Sequence, residues 1–167
     1  MIKVVHGDIT EAKTDIIVNA ANGIGFMGGW IGKYMKLPGV AESIHFVTKG
    51  SVEREAKKKS KKVVWLSRII CGHSAGEIYV THAGSLSSKW IVHAVTMRYP
   101  GMKTTLHTVD TLLTKIVQEG RLLQARSVAI PLLGAGTGGL QAESVLDLYD
   151  RRLSPIEDLQ FNVFIYK

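Results

Sequence analysis

The chain has 167 residues, 46% of them hydrophobic and 21% charged, which fits one domain spanning residues 1–167 and excludes global disorder. The single cysteine, Cys71, excludes an intramolecular disulfide and a cysteine-based zinc site, and favours a reducing compartment. The net charge of +7 suits a polyanion or a small anionic ligand, while the absence of a signal-peptide pattern and of any run of roughly 18–20 apolar residues leads us to expect a cytoplasmic protein with no membrane contact.

Residues 2–6 and 15–19 are short β-branched runs that read as strands. The second opens Asp15-Ile16-Ile17-Val18-Asn19-Ala20-Ala21-Asn22 and enters a glycine-rich stretch, Gly23-Ile24-Gly25-Phe26-Met27-Gly28-Gly29. Residues 40–60 have helical character interrupted at Gly50-Ser51, where one helix can stop and another be capped. Within and after them, Lys57, Lys58, Lys59, Lys61 and Lys62 form a basic run, more often a solvated face than a nucleic-acid site. Residues 61–76 read either as a further helical turn and loop or as an extra strand.

Residues 77–82 and 90–95 have strand character. Residues 104–124 place Leu106, Val109, Leu112, Leu113, Ile116 and Val117 at helical spacing. The strand-like Ser127-Val128-Ala129-Ile130-Pro131-Leu132-Leu133 runs into a second glycine loop, Gly134-Ala135-Gly136-Thr137-Gly138-Gly139. Residues 141–152 return to helical spacing, and 162–166 form a last strand ending at Tyr166. Strands alternating with helices indicate an α/β sheet covered on both faces, with 15–19 and 127–132 as central strands.

Each loop contains G-x-G-x-x-G, at Gly23, Gly25 and Gly28 and at Gly134, Gly136 and Gly139. A dinucleotide fold wants an acidic residue roughly 20 positions on, at the end of a second strand. The acids that follow here, Glu42 after the first loop and Glu143 after the second, fall in helix-like stretches, and neither loop carries G-K-[ST]. Glycine amides can instead approach an anion closely, and successive ones form a concavity for it. Two such loops at one sheet edge could grip a single extended, phosphorylated ligand.

The chain resembles the macro domain family, which binds ADP-ribose, including members of the type that processes ADP-ribose 1″-phosphate. The resemblance rests on Gly7-Asp8-Ile9-Thr10, on Asn19-Ala20-Ala21-Asn22 and its loop, on Gly76-Glu77-Ile78-Tyr79-Val80-Thr81 through Trp90-Ile91-Val92-His93, and on the segment from Ser127 to Leu140. It implies a three-layer α/β/α fold around a mixed six- or seven-stranded sheet. It also implies ligand roles. Asp8, beside Ile9, matches the acid that accepts from the adenine amino group, although Asp8-Ile9-Thr10-Glu11 also has capping-box spacing. Asn22 matches the asparagine at the distal ribose and is the catalytic candidate; by itself, an Asn before Gly is a turn residue. Gly28 and Gly29 match glycines beside that ribose. Gly134, Ala135, Gly136, Thr137, Gly138, Gly139 and Leu140 match the loop around the diphosphate, and Tyr166 matches the aromatic residue that packs on adenine.

The expected function is binding of ADP-ribose, an ADP-ribosyl derivative or an ADP-ribosylated protein, with no cofactor or metal. Hydrolysis of such a derivative (de-ADP-ribosylation, or cleavage of O-acetyl-ADP-ribose or ADP-ribose 1″-phosphate) is left open. In a hydrolytic branch an aspartate lies ten residues beyond Asn22; here that position is Gly32, or Gly39-Val40-Ala41 if residues 30–39 are an insertion, and neither supplies a carboxylate. His45 is a base candidate if its helix faces the cleft, and a structural residue otherwise. Lys33 and Lys36, within the insertion, are read either as phosphate contacts or as solvated. The alternatives are an NAD-dependent oxidoreductase using the first loop, and an RNA or poly(ADP-ribose) binder using the lysine run; no aromatic stacking motif accompanies that run.

Overall fold

The computed structural model describes residues 2–28, 39–60, 62–64 and 69–165. Its centre is a six-stranded mixed sheet in the order β1-β8-β7-β2-β6-β5, built from Ile2–His6 (β1), Ile16–Asn22 (β2), Ile78–His82 (β5), Trp90–Met97 (β6), Ser127–Pro131 (β7) and Gln160–Ile165 (β8). All neighbours run parallel except the β5–β6 pair at one edge. A separate antiparallel hairpin pairs Lys62–Val64 (β3) with Ile69–Cys71 (β4), which resolves the ambiguous stretch as strand.

Four α-helices lie among the described residues: Val40–Val47 (α1), Ser51–Lys59 (α2), Leu106–Leu122 (α3) and Ala142–Leu153 (α4). The break between α1 and α2 falls at Gly50, whose φ of 73° is the left-handed conformation that glycine adopts without a Cβ penalty. Central strand β2 is buried on both faces, as its unbroken apolar run requires. Ile16 and Val18 pack with α3 and α4 residues such as Leu112, Ile116, Val145 and Tyr149. Ile17 faces the opposite layer with Ile9, Ile44, Val52 and Ala56. The result is three layers, α/β/α.

Two polar devices set the register of the central strands. Asp15 Oδ2 accepts from Arg126 N (2.9 Å), Ser127 N (3.2 Å) and Ser127 Oγ (3.1 Å), tying the amino ends of β2 and β7 together. Inside the sheet, His93 is fully buried, with Nδ1 3.1 Å from Asn19 Nδ2 and Nε2 2.9 Å from Thr81 Oγ1. Burial depresses its pKa to about 3, so the imidazole is neutral and structural. No helix among the described residues is long and apolar enough to cross a membrane.

Candidate functional site at the carboxyl edge of the sheet

Because β1, β8, β7, β2 and β6 run parallel, the segments that leave their carboxyl ends share one edge, where open α/β sheets bind ligands. Both glycine loops leave from that edge, after adjacent strands β2 and β7. Asp8 leaves from it too, just beyond β1. Gly29 and Tyr166 lie outside the described residues, as do Gly32, Lys33 and Lys36.

Asp8 has extended backbone, and its Oδ1 accepts from Thr10 N at 2.9 Å, capping the 3-10 turn Ile9–Glu11. Asp8 therefore acts as an N-cap, through Thr10 N and not through the Glu11 amide that a capping box uses. A carboxylate engaged through one oxygen still has acceptor capacity for a second donor. Ile9 is buried in the layer beneath this turn.

Asn22 ends β2 at a register shift against β6, the kind of irregularity that re-aims a side chain. Its side chain is 8% exposed and works on its own loop. Oδ1 accepts from Ile24 N (3.2 Å) and Phe26 N (3.1 Å), and Nδ2 donates to Phe26 O (2.7 Å). The turn role read for an Asn before Gly is therefore present, with the side-chain amide fixing the first glycine loop.

The two loops use glycine differently. In the first, a Cβ on Gly23 would collide with the His73 carbonyl oxygen, and one on Gly25 would stand 2.9 Å from the Ala56 carbonyl. These glycines let the chain pack on itself. Gly28, at φ +85°, faces the side chain of Glu42, whose Cγ lies 2.7 Å from the Cβ position. Burial raises the pKa of Glu42.

The second loop turns its carbonyls inward: Gly134 O accepts from Leu140 N (3.0 Å), Gly136 O from Gly139 N (3.0 Å) and Gly138 O from Thr104 N (3.2 Å). Among the described residues, the amides of Gly136, Thr137 and Gly138 donate to no protein group. Gly136 and Thr137 are exposed, and a Cβ on Gly136 would meet nothing within 4 Å. Successive amides left in this way form an anion concavity. Tyr149 braces the entry to this loop: its buried hydroxyl donates to Pro131 O (2.7 Å) and accepts from Leu133 N (3.0 Å).

A second brace, absent from the sequence reading, holds the first loop. Glu53 of α2 is 4% exposed. Its carboxylate accepts from Met27 N (3.3 Å), lies 2.7 Å from Lys57 Nζ, and lies 2.5 Å from His45 Nδ1. Burial pushes its pKa up, but Lys57, Met27 N–H and His45 together outweigh that and leave it lowered. His45 is thereby assigned a structural pairing. Lys57 and Lys59 are also engaged, the latter with Glu55 at 3.2 Å, so part of the basic run is neutralised internally. Among the described residues no three His, Cys, Asp or Glu side chains converge as a metal site.

The family model described as "Macro domain" matches residues 18–149. An uncharacterised protein of Aquifex aeolicus is 34% identical over 142 residues, covering 85% of this chain and 74% of its own. Among solved structures, the macrodomain of Thermus aquaticus DarG superposes with a TM-score of 0.73 at 24% identity, covering 99% of this chain and 98% of its own. The Oceanobacillus iheyensis macrodomain, solved with ADP, gives a TM-score of 0.76 at 21% identity, covering 99% of this chain and 83% of its own. A mutant of that protein has been solved with ADPR. The chain belongs to the Macro domain family.

Proposed function

We propose that this protein recognises ADP-ribose, free or as an ADP-ribosyl group on a protein, across the carboxyl edge of its sheet. One observation carries the reading. Along that edge the acid Asp8 follows β1, the amide loop follows β7 and Asn22 ends β2, with β8 between the first two. Three interstrand steps separate the ends, roughly 14 Å. Read as adenine acceptor, anion cradle and ribose contact, these three would follow the order in which adenine, diphosphate and distal ribose occur in ADP-ribose. The ADP and ADPR found in the Oceanobacillus iheyensis macrodomain support the same ligand class.

A dinucleotide-dependent oxidoreductase fits less well. After the first loop the chain passes through two helices and a hairpin before re-entering the main sheet at β5, an antiparallel edge strand. That is not the parallel βαβ half of a dinucleotide fold.

Recognition, with hydrolysis as an added activity to be measured, is the form we favour, because the Asn22 amide is committed to its own loop. Calorimetry should register ADP-ribose binding that Asp8→Ala weakens at least tenfold, the loss expected when a charge-assisted hydrogen bond is removed. Absence of heat with ADP-ribose, in a protein shown to be folded by its thermal transition, removes the proposal. Release of free ADP-ribose from a mono-ADP-ribosylated protein, abolished in Asn22→Ala, would extend the function to removal of the group.

A further inference from the structure

We infer that Lys103 is a specificity-determining residue of this site, a cation that closes over the diphosphate of the ligand and selects diphosphate-bearing ligands over the bare nucleoside. The inference rests on the ADP-ribose reading above and adds a residue to it.

Lys103 lies in the segment between β6 and α3, far in sequence from the second glycine loop. Thr104 N donates to Gly138 O at 3.2 Å, and the Thr104 methyl carbon lies 2.6 Å from the Cβ position of Gly134 and 2.7 Å from that of Gly138. This pins the segment to the loop. The Lys103 ammonium then stands 2.8 Å from the point where a Cβ on Gly139, itself at φ +79°, would project, so the lysine lies along the loop. The Gly136, Thr137 and Gly138 amides that lack protein acceptors are the immediate neighbours in the loop.

Two features point to a ligand and away from a structural ion pair. Lys57, Lys89 and Lys115 are engaged with the protein, through Glu53, Asp15 and the Gly76 carbonyl. Lys103 is exposed and has no ion pair or hydrogen bond among the described residues. Thr105, two residues on, caps α3, whose first turn contains no acid to offset the positive end of the helix dipole. Amides, ammonium and helix terminus all present positive charge to one place, which suits two linked phosphates.

The test compares wild type, Lys103→Gln and Lys103→Arg for binding of ADP-ribose, ADP and adenosine at low and high salt. Lys103→Gln should weaken ADP-ribose and ADP about five- to tenfold at low salt and less at high salt, since an exposed charge is screened. Adenosine affinity and the thermal midpoint should not change, and Lys103→Arg should restore most of the loss. ADP-ribose binding within twofold of wild type in Lys103→Gln overturns the inference and leaves the ADP-ribose reading standing. Equal losses for adenosine and ADP-ribose overturn it as well, by making the role structural. Wild type that binds no ADP-ribose removes both.

Discussion

Gly136 and Gly138 differ by two positions and by almost everything a side chain would feel. A Cβ on Gly136 enters open space, whereas one on Gly138 would stand 2.7 Å from the Gly134 carbonyl oxygen and 2.7 Å from the Thr104 methyl carbon. Gly138→Ala should therefore force the loop apart and cost about 1–3 kcal/mol, the usual range for overpacking. Gly136→Ala should leave stability within about 0.5 kcal/mol, as surface changes away from special features do. Equal midpoints for the two variants in thermal unfolding would contradict this division. The composition of the loops does not reveal it, because spare glycine in a sequence means either ligand approach or chain-on-chain contact. In the first loop Gly23 and Gly25 serve the second purpose, against residues 73 and 56 that are distant in sequence. Asn22 shows the reverse case: the sequence allows a turn residue or a ligand residue, and its hydrogen bonds to Ile24, Phe26 and the Phe26 carbonyl give it the turn role, on which the proposed ligand role would depend.

At the scale of elements, helices brace the loops from behind. Tyr149 on α4 packs in the core, but its hydroxyl joins Pro131 O and Leu133 N at the mouth of the second loop. Tyr149→Phe keeps the packing and leaves both backbone groups without their partner. Stability should fall by about 1–3 kcal/mol, and ADP-ribose should bind more weakly through a loosened loop. Unchanged affinity with lowered stability would confine the residue to a packing role. A buried tyrosine generally needs a hydroxyl partner, so the sequence held a signal that one existed, though not where. The strands, α3, α4 and the break at Gly50 were legible because each rests on local periodicity or a glycine stop. The hairpin of β3 and β4 was not: two strands of three residues each carry too few alternations to be told from a loop. The Glu53 brace was hidden for another reason. An acid four residues before Lys57 reads as an ordinary helix-surface pair, and only the packing of α2 against Met27 buries it.

For the molecule as a whole, these braces make stability depend on acid in a way that can be worked out by sign. The Glu53 carboxyl is held below its ordinary value despite burial, and the Asp15 carboxyl is held below its own, chiefly by the Arg126 amide. A carboxyl depressed in the folded state stabilises above its unfolded pKa, and that stability is lost as pH falls through the folded value. Both contributions should thus be constant from neutrality down to about pH 5 and fade below about pH 4. Glu42 has the opposite sign: burial raises its folded pKa, so its ionised form opposes folding at neutral pH, and that penalty is relieved as acid protonates it. Glu53→Gln should cost about 1–3 kcal/mol at pH 7, since glutamine keeps an acceptor for Met27 N–H and loses the charge facing Lys57 and His45. Glu42→Gln should be neutral to stabilising at the same pH. Denaturant melts at pH 7 and pH 3.5 check both: the Glu53→Gln deficit should shrink at the lower pH, and any Glu42→Gln advantage should shrink with it. Asp15 binds β7 backbone at the amino edge of the sheet, away from the Glu53 brace, and shares none of its partners. The effects of Asp15→Asn and Glu53→Gln should accordingly add within about 0.5 kcal/mol in the double variant. A larger coupling would mean that the amino edge of the sheet and the first loop do not respond as separate units.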